Sequence, residues 1–484
     1  MIPRLRRRPP AACPRPRLLL ALLLAAAWLE EAPAARAARP PPAGKPPAAA
    51  APAQPKRPPT ELSNSFIITS LQDLLPIDIR GTKQTPCEYA VARARGLGQK
   101  RFSLVVTAYW GGGSGGVSHY SFKDVNVAYP DGVKFPEASA STVKTWQQGI
   151  QRCFKAAADA GFTGLQILNH IDSEDGLVWR NVLPVDPLAK VNGWSYDDVV
   201  VAPAAAAIKA VLKPQTKLWF MVNGEMGNSL WHHPASYLAL IGKYRAAFSP
   251  GRRPGSTRVG MALHWNKVCG NCFYIPHVNS QQLYNTTYHE LFVQQKEQLL
   301  KAFDAPAVKR ALEAADVLGI SHYAPAPMTG VTPGMFAMPI DTAAYELSHW
   351  GIDFRALINA PSRDFLFSEI GLGGADPANQ RAAGSLEELA GNPLYGIWAV
   401  YNTAQDPWRN SNYKSYRRMW FKALVDFLQA GGGPRYKVDA AFIWSVGTWD
   451  VAAIHPISTS AEGTYADWEI VKWMRWLSNK VPSR

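Results

Sequence analysis

The sequence lacks a long apolar run, which excludes a chain built mainly of membrane-spanning helices. Its 484 residues include one apolar run of 12 residues at 18–29, well short of the roughly 20 residues that a spanning helix needs. No second run of spanning length follows. With 47% hydrophobic and 18% charged residues, the rest of the chain has the composition of a globular protein with a large core.

The common cofactor motifs are also missing. No dinucleotide fingerprint accompanies the first predicted strand, and the glycine-rich stretch 111–116 lacks the Gly-Lys-Ser/Thr of a phosphate-binding loop. The side chains of His170, Asp172, His232 and His233 have a spacing that matches no familiar set of metal ligands. We therefore predict no cofactor and no metal ion. The alternative is that these four side chains belong to a metal-dependent hydrolase.

The formal net charge of +14 is concentrated near the N-terminus. Residues 1–60 contain 11 Lys or Arg and two acidic residues, so the rest of the chain carries a net charge of only +5. A nucleic-acid-binding protein usually presents a concentrated positive surface on its folded body. We predict no nucleic-acid partner.

The first 63 residues predict export. Six arginines precede the apolar run and small residues follow it, which is the order of a secretory signal peptide. A plastid transit peptide is the alternative, because the region is rich in Arg and Ala. We predict a signal peptide at 1–37, a Pro/Ala-rich disordered linker at 38–63 and one catalytic domain at 64–484. The mature chain is expected to be secreted, without a membrane anchor.

The five cysteines fit an oxidising compartment. Removal of 1–37 takes away Cys13 and leaves four, an even number compatible with two disulfides. Cys269 and Cys272 either form a short-loop disulfide, remain free thiols, or supply half of a zinc site. Asn285 begins an Asn-Thr-Thr sequon, which agrees with glycosylation during export.

From residue 101 onward, short apolar runs alternate with amphipathic stretches. The runs are typical of buried parallel strands and lie at 101–110, 162–168, 217–222, 258–265, 317–323, 365–371 and 440–446. Helical stretches lie at 141–161, 196–212, 235–248, 290–315 and 416–431. The alternation over about 380 residues predicts a single (β/α)8 TIM barrel of the α/β class. Seven strands are visible in it, and we place the eighth between Ile171 and Pro187.

Polar and aromatic residues stand where these runs end. In a TIM barrel the catalytic groups come from the C-terminal ends of the strands, and flat rings suit sugar binding. Trp179 and Arg180 are either subsite residues or packing for an irregular strand. The candidate substrate-binding residues are Asn169, His170, Asn223, Trp265, Asn266, His322, Tyr323 and Trp444.

Two glutamates also end apolar runs, Glu225 and Glu369. Retaining glycosidases use two carboxyl groups about 5 Å apart, one that donates a proton to the leaving oxygen and one that attacks the anomeric carbon. Glu225 and Glu369 are therefore the candidate catalytic residues. The alternative for each is an ordinary strand-end acid in a salt bridge.

Four short motifs carry a resemblance to a known family. The stretches VNGEMG, DVLGISHYAP, FLFSEIGLGG and AFIWSVGTWD resemble the fourth, sixth, seventh and eighth strands of the retaining glycoside hydrolases of the 4/7 superfamily. This clan includes cellulases, β-mannanases, β-galactanases and many β-glycosidases. PASYLALIGKYRAAF followed by RVGMALHWN is similar to the fourth helix and fifth strand of its mannanase-like and galactanase-like members. The similarity spans 102–476 and is specific only in these motifs.

The resemblance implies a role for each matching residue. It makes Glu225 the acid/base and Glu369 the nucleophile, with Tyr323 hydrogen-bonded to the nucleophile and Trp444 a sugar platform. The clan usually has Asn directly before its acid/base, where it binds the sugar 2-hydroxyl. Here Gly224 intervenes after Asn223, and Asn169 or Asn266 is the candidate substitute.

These residues predict a retaining β-glycoside hydrolase that acts on a polysaccharide or glycan. Glu369 is expected to stay ionised, while Glu225, beside apolar Met226 and Trp231, keeps its proton near neutral pH. The first alternative is a catalytically lapsed barrel that binds carbohydrate, which the inserted Gly224 favours.

Overall fold

The computed structural model describes residues 57–125, 132–251, 255–270, 272–275 and 281–482. The predicted signal peptide at 1–37 lies outside these ranges, as does the predicted linker up to residue 56. Among the helices in these ranges, none is both long enough and apolar enough to cross a membrane.

In the described part of the chain, eight parallel strands pair in sequence and close into a barrel, as the alternating pattern predicts. Closure depends on the first strand, which pairs with the eighth through Leu62 and with the second through Ser65. The (β/α)8 TIM barrel is thus confirmed. Its strands are β1 (Leu62–Ile68), β2 (Arg101–Gly111), β3 (Gly164–Ser173), β4 (Lys217–Gly224), β5 (Thr257–His264), β6 (Val317–His322), β7 (Asp364–Ile370) and β8 (Ala440–Ile443).

The strand that the sequence did not reveal is β1, and the placement of a strand between Ile171 and Pro187 is wrong. That segment contains a short 3-10 turn at Arg180–Val182. The polar residues of β1 are buried, and their partners lie elsewhere in the chain: the backbone N–H of Asn64, for example, donates to the Gln99 side chain at 3.2 Å. Because β1 precedes the other seven strands, Glu225 follows the fourth strand.

The helices form the outer layer of the barrel. The stretch 290–315 is two helices and not one, because Asp304 caps a new helix with Pro306 in its first turn. A π-helical segment at Asp197–Val201 precedes the helix that contains Pro203. The helices are α1 (Pro86–Gly96), α2 (Ala140–Asp159), α3 (Ala202–Val211), α4 (Gly227–His232), α5 (Pro234–Phe248), α6 (Gln281–Ala302), α7 (Ala305–Ala314), α8 (Met338–His349), α9 (Phe354–Asn359), α10 (Leu386–Gly391), α11 (Ser411–Gln429) and α12 (Trp468–Lys480).

A packed apolar core fills the barrel below its C-terminal mouth. Alternate residues of the strands point inward and exclude water from the interior, so the open space for chemistry lies above them. The inward-facing set includes Ile67, Val105, Leu168, Trp219, Met221, Ala262, Val317, Leu366, Ala440 and Phe442.

One disulfide ties the first two helices together. Cys87 of α1 and Cys153 of α2 are bonded, and the sulfur atoms of Cys269 and Cys272 also lie in contact. Asn285 of the sequon lies within α6, where the Gln281 side chain donates to its amide oxygen at 2.9 Å. The sequon therefore sits on a helix and not in a loop.

Replacing both Cys87 and Cys153 by alanine is expected to destabilise the fold. The bridge spans 66 positions. In the chain-entropy model a bridge of that span restricts the unfolded chain, and its loss lowers the free energy of unfolding by about 4 kcal/mol. Urea unfolding of the wild type and the double variant under non-reducing conditions measures the difference. An unchanged free energy of unfolding, or a wild type indifferent to dithiothreitol, would contradict the expectation.

Candidate active site

Both candidate glutamates follow an irregularity in their strands. In β4, Met221 and Gly224 face residues of β5 that are two positions apart, so β4 contains one extra residue. In β7, Phe367 and Glu369 face consecutive residues of β6. Such bulges reverse the inside–outside alternation that follows them and often re-aim a side chain beside an active site. Each bulge lies just before or at the glutamate, at the mouth of the barrel.

Gly224 is required by the close approach of His170. A Cβ atom at this position would lie 2.2 Å from His170 Nε2 and 2.3 Å from its Cδ2, which no packed pair of atoms tolerates. The next residue, Glu225, has a positive φ of 56°, an uncommon conformation for a residue with a side chain that is frequent at functional sites. Its N–H donates to the Ala262 carbonyl at 3.0 Å, which fixes the turn.

The Glu225 carboxylate is buried and receives two donors on one oxygen. Arg180 Nη2 lies 2.9 Å from Glu225 Oε2, and the indole N–H of Trp179 donates to the same oxygen at 3.2 Å. Arg180 also donates to the Gly224 carbonyl at 3.1 Å and to Asp172 at 2.6 Å. The other oxygen, Oε1, lies 3.8 Å from His264 Nε2.

The Glu369 carboxyl group is also buried, but the two side chains in contact with it are uncharged. The Tyr323 hydroxyl donates to Oε2 at 3.1 Å, and His170 Nε2 lies 2.9 Å from Oε1. Burial, together with the nearby Arg180, lowers the pKa of His170 to about 3, so the imidazole is neutral near pH 7. The contact between His170 and Glu369 is therefore polar rather than an ion pair.

The two carboxyl groups have opposite pKa shifts. Burial and then the negative charge of Glu225 raise the pKa of Glu369 to about 8, although Arg180 and the Tyr323 hydrogen bond oppose the rise. Burial alone would raise the pKa of Glu225 as well, but the adjacent Arg180 guanidinium lowers it overall. The ion pair with Arg180 thus favours an ionised Glu225, whereas the sequence-based expectation is a protonated one.

The structure brings several of the other candidates to this pair. His170 lies between Glu369 and the backbone of Gly224, and the half-buried Trp444 stacks on His170 with 6.0 Å between ring centroids. Asn266 positions His264, because its carbonyl oxygen lies 3.0 Å from His264 Nδ1. Trp265 is half-buried beside His264 and Tyr284 at the edge of the site. Of these candidates, His170 and Tyr323 contact Glu369 directly. Trp444 and Asn266 reach the pair only through His170 and His264, and Trp265 lies at the edge.

Three candidates point away from the pair. Asn169 is buried on the outer side of β3, where its amide donates to the Met221 carbonyl at 2.7 Å. Asn223 is buried beside the Tyr237 hydroxyl of α5, because the bulge turns it outward. His322 packs against the rings of Phe336 and Phe367, with centroids 5.4 and 4.9 Å away. These three are corrections to the predicted substrate-binding set: strand alternation turns Asn169 and His322 outward, and the bulge in β4 turns Asn223 outward.

Trp179 and Arg180, whose role the sequence leaves open, both contact Glu225. They follow β3 in an irregular loop, and the Arg180 side chain is only 11% exposed. Burial would lower the pKa of Arg180, but Asp172, Glu225 and Glu369 raise it overall, so the guanidinium is charged. A lone arginine in a loop carries no sequence signal that would predict its ion pair with Glu225. His264 is recognisable only by its position at the end of β5.

No cluster of three or more His, Cys, Asp or Glu side chains in the described ranges is arranged to hold a metal ion. His170 and Asp172 lie at the barrel mouth with Arg180. His232 ends α4 and packs against Phe303 and against His233, the residue that caps this helix.

No family model and no curated protein sequence matches the chain. Solved structures with a similar fold include an endo-1,4-β-mannanase from Rhizomucor miehei, at 11% identity over 87% of this chain and 95% of that one, with a TM-score of 0.33. A β-glucosidase from Trichoderma harzianum is 10% identical over 90% and 100% of the two chains, with a TM-score of 0.37. A family 5 xyloglucanase from Paenibacillus pabuli is 10% identical over 87% and 97%, with a TM-score of 0.34. At these levels of similarity we assign the fold from the strand pairing alone, and we assign no activity from the likeness.

Proposed function

We propose that this protein is a secreted retaining β-glycoside hydrolase that cleaves a polysaccharide or glycan with Glu225 and Glu369. The observation that carries the proposal is the placement of two buried glutamates after the fourth and seventh strands of a closed barrel, with His170 between them. His170 Nε2 is 2.9 Å from Glu369 and in contact with Gly224, the neighbour of Glu225. Two carboxyl groups with pKa values pushed apart are what acid catalysis combined with nucleophilic attack requires.

The aromatic surroundings support a sugar as the substrate. Trp444 stacks on His170, and Trp398, 41% exposed, lies 6.2 Å from Trp444 between ring centroids. Exposed indole faces next to buried polar groups suit the alternating apolar faces and hydroxyl groups of a pyranose. No cofactor is needed for this chemistry.

A lapsed barrel that binds carbohydrate is the second candidate. The ion pair between Arg180 and Glu225 favours it, because a carboxylate held this way cannot serve as the proton donor in the role that the resemblance implies. Such a protein would keep the aromatic surface and the polar groups but would release no product.

A panel of 4-nitrophenyl β-glycosides and plant polysaccharides, assayed with wild type and Glu225→Ala, tests the proposal. We expect the wild type to release nitrophenol from at least one glycoside and the variant to release none above background. The anomeric configuration of the first sugar released, followed by proton NMR, should be β. An α product contradicts retention, and binding without turnover favours the second candidate. Loss of turnover in EDTA would instead indicate the metal-dependent hydrolase.

A further inference from the structure

An open groove of about 360 Å³ lies between α1 and α12 in the outer layer of the barrel; we name it the α1–α12 groove. Its lining extends from Gln84, two residues before α1, to Leu97, directly after that helix, and α12 contributes Arg475. The groove therefore follows the length of α1, which is about 16 Å for 11 residues. A volume in this range suits an organic ligand better than a free inorganic ion.

Two arginines give the groove a positive charge. Arg93 and Arg475 both line it, and neither guanidinium forms an ion pair with a carboxylate in the described ranges. Arg93 lies in the last turn of α1, where a cation favours the helix dipole. Arg475 lies in the middle of α12, where the dipole gives no reason for a charge. Two unpaired guanidinium groups in one groove favour a ligand that carries negatively charged oxygens.

The groove also has hydrogen-bonding groups that the chain leaves unused. The Tyr89 hydroxyl and Arg93 Nε are buried and have no hydrogen-bond partner in the described part of the chain. The two residues are one helical turn apart on α1, and both line the groove. Buried polar groups in folded proteins are nearly always hydrogen-bonded. This side of the groove is therefore suited to a polar ligand.

Exposed indole rings lie beside the groove on α12. Trp468 and Trp476 are 51% and 42% exposed, although tryptophan is highly buried on average in folded proteins. They are eight residues apart in one helix, so they lie on the same side of it at a spacing of about 12 Å. The Lys480 ammonium lies 5.6 Å from the centroid of the Trp476 ring. Flat apolar faces with cations beside them suit a sugar that carries an acidic group.

We propose that the α1–α12 groove, with Trp476 at its edge, is a second binding site that holds an acidic glycan by its sulfate or carboxylate groups. The site binds the glycan outside the barrel mouth and does not cleave it. Single-stranded nucleic acid also combines negative oxygens with flat rings, but it needs a positively charged track along several nucleotides, and two arginines supply only a short one. The inference does not depend on the glycosidase function, since a barrel that only binds carbohydrate could have the same site.

Isothermal titration calorimetry of the full chain measures the binding, at about 0.15 M salt so that long-range attraction is screened. The probes are sulfated dextran and polygalacturonate, which separate a sulfate from a carboxylate as the recognised group, with unmodified dextran as the neutral reference. We expect the wild type to bind at least one of the two acidic glycans and not to bind dextran. The affinity should fall as the salt concentration rises, because a polyanion releases counterions when it is bound.

Arg93→Gln combined with Arg475→Gln should weaken this binding by about 10- to 100-fold, the effect of losing one or two hydrogen bonds to charged groups. Lys296→Gln combined with Arg310→Gln is the matched control, because it removes two exposed cations from α6 and α7. The control should bind the glycan like the wild type. Trp476→Ala, which leaves the net charge unchanged, should also weaken binding.

Four results would overturn the inference. They are a wild type that binds neither acidic glycan, an unchanged affinity in the Arg93 and Arg475 double variant, an equal loss in the control, and binding of single-stranded DNA or inorganic sulfate as tight as that of the glycans. Thermal midpoints show whether each variant is folded, and Trp476→Ala decides the case if the double variant is not. Turnover of an aryl glycoside should be the same in all these proteins, so the proposed function and this inference fail independently.

Discussion

Replacing Glu369 by glutamine is expected to lower kcat/KM on the best aryl glycoside by at least roughly 100- to 10,000-fold, because the proposed mechanism needs both carboxyl groups. The same substitution should make the protein more resistant to heat at pH 9, and by a much smaller amount at pH 5. Activity on the aryl glycoside and thermal midpoints at the two pH values measure both effects. The second effect separates a protonated Glu369 from an ionised one.

The sign of the stability effect follows from the raised pKa. In the folded protein the pKa of Glu369 is about 8, whereas an unfolded glutamate titrates near 4.3. Below about pH 4.3 the carboxyl is neutral in both states and costs nothing. As the pH rises toward 8, the unfolded chain loses this proton and the folded one keeps it, so the folded state becomes progressively less favoured. Glutamine has no proton to lose, and the difference from wild type should therefore grow between pH 5 and pH 9.

The matched control is Glu462→Gln, which changes the same functional group at an exposed position. It should alter neither activity nor the pH dependence of the thermal midpoint. If Glu369→Gln loses activity without any pH-dependent gain in stability, Glu369 is ionised at neutral pH, which is the state that a nucleophile requires.

The second large effect is expected from Gly224→Ala. The added methyl group would lie 2.2 Å from His170 Nε2 and 3.1 Å from the Leu168 side chain, so the imidazole must move. His170 is buried and contacts Glu369, and displacement of a catalytic group by about 1 Å costs on the order of 100-fold in rate. Overpacking a core also costs about 1 to 3 kcal/mol of stability.

Gly242→Ala is a suitable comparison for this substitution. Gly242 lies in α5 with no atom within 4 Å of an added Cβ. Alanine there should leave kcat/KM unchanged and stabilise the helix by up to about 1 kcal/mol. A Gly224→Ala protein with wild-type kcat/KM would show that His170 can move without loss of activity. The contact between His170 and Glu369 would then not be needed for turnover.

Hydrophobic periodicity predicts seven of the eight barrel strands because those strands are apolar on both faces. β1 escapes this criterion, since Ser63, Asn64 and Ser65 interrupt it directly after a proline-rich stretch. These polar side chains are buried against partners that come from elsewhere in the chain, among them Ser445. A local pattern contains no information about partners so far away.

Strand ends identify the two glutamates, but they do not identify which neighbours face them. Strands buried on both faces show no alternation of polarity, so the sequence does not distinguish His170, which points inward, from Asn169, which points outward. The bulge in β4 turns Asn223 to the outer face of the barrel, away from the two glutamates. The charge distribution depends on Arg180, and its contact with Glu225 is formed by a loop whose course only the folded chain determines.

The closure of the barrel through β1 has a consequence for the order of folding. The first strand emerges earliest during synthesis, yet Leu62 and Asn64 pair with Ala441 and Ile443 near the end of the chain. Contacts between distant parts of a sequence form slowly, and until β8 arrives the nascent sheet has two open edges that can pair with other chains. Efficient production therefore requires that these edges be shielded during translation, and shortened chains that end before residue 440 should aggregate.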